Sequence, residues 1–283
     1  MTVAAARAIR TSAARAAGVA LAVAVLAAIT VAPTPAGAGL PRGVPFVTLQ
    51  LNLCNSGEAA CYRRVNNGRS VAEAAAVVAE RRPDVVTLNE ICRSDVAVDL
   101  YRAMVSTFPG SRVFWAFKAA GDRRDGGPYR CRDGDQYGIG VLGRVRAADW
   151  AGTAVRDGLY PVQDGSAEMR AWVCAAAVGS YVACATHLES SSATVARAQC
   201  ERLMDVEIPA FRAAVGASAP VVVGGDLNLR APDAQGCVPP GYYGVGDGDL
   251  QQVLASTDLA FGYARPVPLR FTDHPGWLLA VTP

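Results

Sequence analysis

Pro220-Val-Val-Val-Gly-Gly-Asp-Leu-Asn228 is the stretch on which the fold turns. Its first four residues are apolar and mostly β-branched, the pattern of a short strand buried on both faces. Gly224 and Gly225 then let the backbone turn or approach another group closely, and Asp226 and Asn228 follow with one residue between them. At the mouth of a sheet that spacing sets a carboxylate and an amide against one ligand, and a hard cation or a phosphate oxygen suits both. Gly, Asp and Asn are also ordinary turn residues. The stretch therefore takes its meaning from where the chain puts its other rare polar groups.

Upstream, Val44 to Leu53 is β-rich and ends in Asn52, Cys54 and Asn55. An alanine-rich helix is predicted from Ser70 to Arg82, stopped by Pro83, and a second buried strand from Val85 to Leu88 with Asn89-Glu90 at its end. Ser94 is placed to cap a helix reaching about Thr107. Strands follow at Val113 to Phe117, Tyr137 to Leu142 and near 147–157, with a polar loop from Lys118 to Gln136 between the first two. Met169 to Val178 and Tyr181 to Thr186 flank Gly179-Ser180, a two-residue hairpin signal. Thr194 to Val215 carries the longest amphipathic helix, kinked or divided at Pro209. Downstream, Ala231 to Asp249 is a Gly- and Pro-rich loop holding Tyr242-Tyr243, and Leu250 to Ala255 and Trp277 to Val281 are the last strands. Strands interleaved with few helices, without repeat or long linker, predict one mixed α/β domain over residues 39–283 with two sheets packed face to face.

Residues 1–38 stand outside that domain. Arg7, Arg10 and Arg15 precede an apolar run from Ala16 to Ala32, and Pro33-Thr-Pro-Ala-Gly-Ala38 offers a small-residue cleavage site. This is a secretory signal peptide cut after Ala38, since the apolar run is short and weak for a span of roughly 20 residues. Losing the leader's three arginines leaves 24 basic residues against 25 acidic ones, a net charge near −1. No global positive field attracts nucleic acid, so any such binding rests on a local patch. The eight cysteines all follow the cleavage site, and an even number in an exported chain implies disulfides. Of the many possible pairings the neighbouring one is expected: Cys54–Cys61, Cys92–Cys131, Cys174–Cys184 and Cys200–Cys237. No close C-x-x-C or His pair suggests zinc.

The chain has two histidines, His187 and His274, and both adjoin predicted strands. Asn52, Glu90, Asp226 with Asn228, and Asp273 share that placement, and strand ends are where α/β sheets build sites. Taken in order, Asn52, Thr87-Leu-Asn-Glu90, Tyr137-Gly-Ile-Gly-Val-Leu-Gly143, Ala185-Thr-His187-Leu, Gly224-Gly-Asp226-Leu-Asn228 and Thr272-Asp-His274 resemble the motif series of the endonuclease/exonuclease/phosphatase superfamily, the deoxyribonuclease I-like fold. The likeness spans about residues 44–281, and the Gly-Asp-x-Asn and Asp-His elements are its most specific parts. It implies a four-layer α/β sandwich of the deoxyribonuclease I-like type, two packed mixed β-sheets flanked by helices, and divalent-metal-dependent cleavage of phosphate esters.

Carried over residue by residue, the resemblance gives Glu90 as metal ligand with Asn52 and Asp273 supporting it. Asp226 and Asn228 orient the attacking water and the phosphorus centre. His274 is the general base, Asp249 its carboxylate partner (with Asp247 and Asp258 as rivals), His187 a second histidine and Arg170 a phosphate-binding arginine. Asn89 departs from the Gln of many members, and Thr272 from the usual Ser. The residue types make chemical sense alone. Phosphodiester cleavage is mostly positioning and charge stabilisation, Mg²⁺ or Mn²⁺ takes carboxylate oxygens, and an imidazole moves protons near neutral pH. Ca²⁺ is the expected structural ion.

The expected substrate is a phosphodiester, nucleic acid ahead of membrane lipid, because Lys118, Arg123, Arg124, Arg130 and Arg132 surround Tyr129 in one loop. Asp122, Asp125, Asp133 and Asp135 in the same loop offset that charge. A sphingomyelinase or other phospholipid or phosphoinositide phosphoesterase is the alternative, with Tyr242-Tyr243 resting on a membrane interface. A non-catalytic exported binding protein on the same scaffold would show gaps among the motif residues. No obligate protein partner is implied.

Overall fold

The computed structural model describes residues 39–59 and 68–283. The expected leader and Cys61, half of one expected disulfide, lie outside the described residues. In chain order the strands are β1 (Phe46–Asn52), β2 (Val85–Cys92), β3 (Ser111–Ala119), β4 (Gly121–Asp122), β5 (Tyr137–Arg146), β6 (Thr153–Leu159) and β7 (Glu168–Met169). They continue as β8 (Ala171–Ala177), β9 (Tyr181–His187), β10 (Val221–Asp226), β11 (Tyr242–Gly246), β12 (Gln251–Ser256), β13 (Ala260–Val267) and β14 (Gly276–Thr282). The helices are α1 (Arg69–Arg81), α2 (Tyr101–Thr107), α3 (Ala193–Arg202) and α4 (Ile208–Val215).

Two six-stranded sheets form, β13-β14-β1-β2-β5-β3 and β11-β12-β10-β9-β8-β6, and β4 pairs with β7 beside them. Each large sheet has a parallel pair at its centre, β1 with β2 and β9 with β10, and antiparallel partners outside. Val71, Ala74 and Val78 of α1 and Met104 of α2 pack on the outer face of the first sheet. Leu203, Met204, Ile208 and Phe211 pack on the outer face of the second. The result is the four-layer α/β sandwich.

Side chains alternate across a strand, and here the alternation organises the site. In β1, Leu49 and Leu51 face the helices, whereas Phe46 faces the other sheet. Thr48, Gln50 and Asn52 share that inner face by their spacing. In β10 the inner residues run Val222, Gly224, Asp226. In β9 they run Tyr181, Ala183, Ala185, His187. The seam between the sheets is therefore apolar at one end and polar at the other. At the polar end Gln50 Nε2 donates to Asn89 Oδ1 at 2.6 Å and to Gln251 Oε1 at 3.1 Å, and Thr87 Oγ1 donates to Gln50 Oε1 at 2.5 Å. Asn89 also accepts from the Asp226 amide at 2.7 Å and donates to the Thr186 carbonyl at 2.7 Å. The Asn89 amide thus binds the two sheets together. Buried polar groups demand such partners.

Gly224 makes room for that network. A Cβ there would stand 1.9 Å from Thr87 Oγ1 and 2.9 Å from Gln50 Oε1. Gly224→Ala is expected to cost about 1–3 kcal/mol by overpacking, read from the urea midpoint. Adding Thr87→Ala should recover part of the loss, and purely additive losses would show that the two positions do not meet.

Several local expectations are corrected. Residues 231–249 are not all loop, because Tyr242–Gly246 forms β11, paired antiparallel with β12. Tyr242 and Tyr243 pack against the two hydrophobic clusters, and the Tyr243 hydroxyl donates to the Leu259 carbonyl at 2.8 Å. The strand expected near 147–157 lies later, at Thr153–Leu159. Ser94 makes no side-chain cap; its amide donates to Asp135 Oδ2, and a π turn over Asp95–Leu100 leads into α2. A second π turn over Leu203–Glu207 separates α3 from α4, which absorbs Pro209 in the first turn of α4, where no amide hydrogen is needed. The exposed edge strand β13 was not foreseen, since Gly262 and Pro266 interrupt its pattern.

Cys92–Cys131, Cys174–Cys184 and Cys200–Cys237 are bonded as expected. Cys174 and Cys184 sit directly opposite each other in β8 and β9, and Cys200–Cys237 ties α3 to the segment after β10.

Candidate active site

The polar end of the seam opens into a cleft of about 350 Å³ lined by Glu90, Arg170, His187, Asp226, Asn228 and His274, with Ser56, Glu58, Tyr129, Tyr137, Glu168 and Ser190 around them. Chain segments far apart in sequence meet here because each ends a strand on the same edge of the sandwich. Two residues here lie in the left-handed region, Glu90 near the end of β2 with φ +52° and Asn228 just past β10 with φ +50°. Such a conformation is costly outside glycine and concentrates at functional sites. Glu90 reaches it at a register shift between Leu88 and Ile91 in the β2–β5 pairing, and bulges of this kind re-aim side chains.

Asp226 is the hub. Its Oδ2 accepts from Asn52 Nδ2 at 3.0 Å and from Gln251 Nε2 at 2.8 Å, and His274 Nε2 lies 3.5 Å away. Its Oδ1 accepts from the Asn228 amide at 3.1 Å, while Asn228 Nδ2 donates to the Leu188 carbonyl at 2.9 Å. Asn52 Nδ2 also donates to Glu90 Oε1 at 2.9 Å, and its own oxygen accepts from the Cys54 amide at 3.2 Å. Asn52 therefore turns its amide nitrogen toward both carboxylates and joins Glu90 to Asp226. Thr272 Oγ1 donates to the Asn52 carbonyl at 2.8 Å, which anchors the Asp273–His274 turn on β1. Asp273 Oδ1 lies 3.8 Å from His274 Nε2, and its side chain is half exposed.

Asp249 is not in this cluster. Its exposed carboxylate pairs with Arg230 Nε at 2.6 Å. Among the described residues the carboxylates within 4.0 Å of the His274 ring are Asp226 and Asp273. β12 begins two residues after Asp249, and the side chain it sends inward is Gln251. Arg170 is also placed otherwise than a free phosphate grip. It is buried, with Nη1 2.8 Å from Glu168 Oε1 and 3.0 Å from His187 Nδ1, and Nη2 3.3 Å from Ser190 Oγ. Glu168, Gln251 and Tyr137 were missed in the sequence. Glu168 precedes Arg170 by two and shares its strand face, and Gln251 shares a face with Val253 and Ala255, so period-2 alternation was the available signal.

Burial, reinforced by Glu168, Asp226 and Asp273, raises the Glu90 carboxyl to about 7 despite the Asn52 hydrogen bond. Burial likewise raises Glu168, against the pull of Arg170. A set of crowded acids supplying only oxygens fits a hard divalent cation, whose charge would offset their repulsion. Glu90 and Asp273 are two of these acids, close enough for the charge of Asp273 to act on Glu90. The tightest other grouping among the described residues, Cys92 and Cys131 with Asp133, has both sulfurs in a disulfide and offers no site for the structural Ca²⁺.

The model of the endonuclease/exonuclease/phosphatase family matches residues 49–278, which include every motif described above. The chain belongs to this family. Endonuclease/exonuclease/phosphatase enzymes hydrolyse phosphoric esters with divalent metal ions, and this chain is such a hydrolase. No curated protein matches it significantly. Solved structures do. The catalytic domain of human Nocturnin, with a bound sulfate anion, is 15% identical over 85% of this chain and 94% of that one, with TM-score 0.58. Truncated TDP2 of Caenorhabditis elegans is 16% identical over 86% and 99%, with TM-score 0.55. A mannosyl-6-phosphatase of Bacteroides thetaiotaomicron is 11% identical over 84% and 99%, also at 0.55. At these identities the likeness is one of fold.

The wall of the family cleft is held covalently. Cys92–Cys131 closes a loop of 39 residues around Tyr129, and the Arg132 amide donates to the Ser56 carbonyl at 2.8 Å. Cys92→Ser with Cys131→Ser is expected to lower stability by about 4 kcal/mol in the chain-entropy account. A calorimetric loss under about 1 kcal/mol would show that the loop is held without the bond.

Proposed function

We propose that this chain is a secreted, Mg²⁺- or Mn²⁺-dependent endonuclease of the deoxyribonuclease I type. The observation that supports hydrolysis is the approach of His274 Nε2 to Asp226 within a cleft that also holds Glu90. Glu90 and Asp273 would hold a divalent cation, whose positive charge would offset that of the phosphate oxygens. The protein's own groups do the rest. Asp226 orients the His274 ring, which is placed to take a proton from water held beside Asp226 and Asn228. The role expected of Asp249 thus falls to Asp226. Export accords with the leader sequence and with the three disulfides seen among the described residues.

A second groove, of about 370 Å³, adjoins the cleft through Glu58 and Tyr129 and carries Arg124, Arg130 and Arg132. It favours an extended polyanion over a single headgroup. Its charge is partly tied up, since Arg124 is paired with Asp122 and, outside the groove, Lys118 with Asp157. The phospholipid alternative loses its membrane contact, because Tyr242 and Tyr243 are packed in a strand.

The test incubates purified protein with plasmid DNA, RNA, sphingomyelin vesicles and phosphoinositide vesicles, with Mg²⁺ or Mn²⁺ and with EDTA. Metal-dependent nicking that disappears in His274→Ala is the expected result. Phosphocholine or phosphate release with intact plasmid would move the assignment to lipid. Inertness on all four substrates would leave a binding protein.

A further inference from the structure

Arg170 Nη1 lies 3.0 Å from His187 Nδ1. A guanidinium has five donors, no acceptor and no accessible neutral form, so Nδ1 must be the acceptor. The ring proton of His187 then sits on Nε2. An imidazolium here would set N–H against N–H and bring two cations together where His187 is 6% exposed. Burial and the charges of Arg170 and His274 oppose it, holding His187 well below the usual range.

Arg170 cannot easily turn away. Glu168 holds Nη1, Ser190 accepts from Nη2, and Glu189 Oε2 stands 3.9 Å from Nε. Glu189 is itself fixed by the Ser190 and Ser191 amides at 2.8 and 2.9 Å. The Arg170 amide donates to Gln163 Oε1 at 2.8 Å, so the backbone is pinned as well. The titratable groups around the ring are Arg170, Glu168 and Glu189, Asp226 beside it as its register partner in β10, and His274 and Glu90, which line the same cleft. Among the described residues nothing bonds Nε2, and His187 lines the cleft.

We propose that Arg170 is a positioning residue that locks His187 as its neutral Nε2–H tautomer, making His187 a fixed hydrogen-bond donor to a phosphate oxygen and not a proton carrier. The lock rests on the geometry alone, and the donor role rests on the phosphoester hydrolase reading above. The two histidines then divide the work: His274 moves the proton and His187 holds developing negative charge.

The decisive measurement is a pH titration of metal-free protein labelled with ¹⁵N-histidine, followed by long-range ¹H–¹⁵N correlation, with His187→Gln identifying the resonances. His187 should keep the neutral Nε2–H pattern between about pH 5 and 8. An imidazolium or an Nδ1–H pattern in that range would overturn the lock. Arg170→Met should let His187 protonate within the range, and a titration unchanged from wild type would overturn the lock. The wild-type titration decides even if that variant folds poorly. Hydrolysis of bis(p-nitrophenyl) phosphate with Mg²⁺ tests the donor role. His187→Gln, which returns an N–H near Nε2, should stay within about tenfold of wild type, while His187→Ala should lose about 10²–10³ in kcat. Equal losses would overturn the donor role. No hydrolysis by the wild-type chain would sink the functional reading, while the tautomer remains decided by the spectra.

Discussion

Glu90→Gln is expected to abolish metal-dependent hydrolysis and, with EDTA present near pH 8, to make the protein more stable. The native carboxyl is raised to about 7 from an ordinary 4.5, with burial the main cause and its acidic neighbours adding to it. A carboxyl raised in this way binds its proton more tightly folded than unfolded. Below the ordinary value both states are protonated and Glu90 has no effect. Between 4.5 and about 7 stability falls as the pH rises, and above that the full penalty applies, about 3 kcal/mol. Glutamine keeps the oxygen that accepts from Asn52 and carries no charge at any pH. Its melting temperature should exceed that of wild type by roughly 6–12 °C near pH 8, with the gap closing toward pH 4.5. Mg²⁺ or Mn²⁺ should raise the wild-type value and leave Glu90→Gln nearly unmoved. Calorimetry at several pH values reads all of this. Equal melting temperatures in EDTA would mean that Glu90 is not crowded, and an equal metal-induced rise in both proteins would place the cation elsewhere.

His274→Ala should lower kcat by about 10²–10⁴ with KM little changed, the range for a positioned general base. Asp226→Asn should lose a comparable amount. An amide there presents hydrogens to Asn52 and Gln251, which already donate to that position at 3.0 and 2.8 Å, and removes the carboxylate beside His274. Residues acting as a unit are not additive, so the double variant should be little worse than the poorer single one. Steady-state kinetics on the substrate found by the screen decides. Wild-type kcat in His274→Ala would end its assignment as the base, and fully multiplicative losses would separate Asp226 from it.

The layered architecture was legible because strands such as Val221–Asp226 are short, β-branched and bounded by glycine or polar residues. The convergence of Glu90, Asp226, His187 and His274 was legible because each lies at a strand end. Asp249 entered through the family resemblance alone, by its place just ahead of the predicted strand, and sequence position does not say which way a turn residue points. That side chain stands in the turn before β12, where an exposed carboxylate meets Arg230. The position of Arg170 was legible, but what its guanidinium faces was not. Glu168, Glu189 and His187 reach it from the preceding strand and from β9 and the loop after it, and no local pattern records that. Tyr242 and Tyr243 were misplaced because the glycines and prolines around them concealed an edge strand.

The order in which the chain enters its two sheets has a temporal consequence. The first sheet is begun by β1, β2, β3 and β5, the second is filled by β6 and β8 to β12, and β13 and β14 then return to sit beside β1. Asp273 and His274 ride on the connection between those last two strands. On the assignment made here, a chain still emerging from the ribosome, or clipped ahead of Asp273, lacks both the base and one of the two metal-binding carboxylates, so the site is complete only once the final hairpin docks.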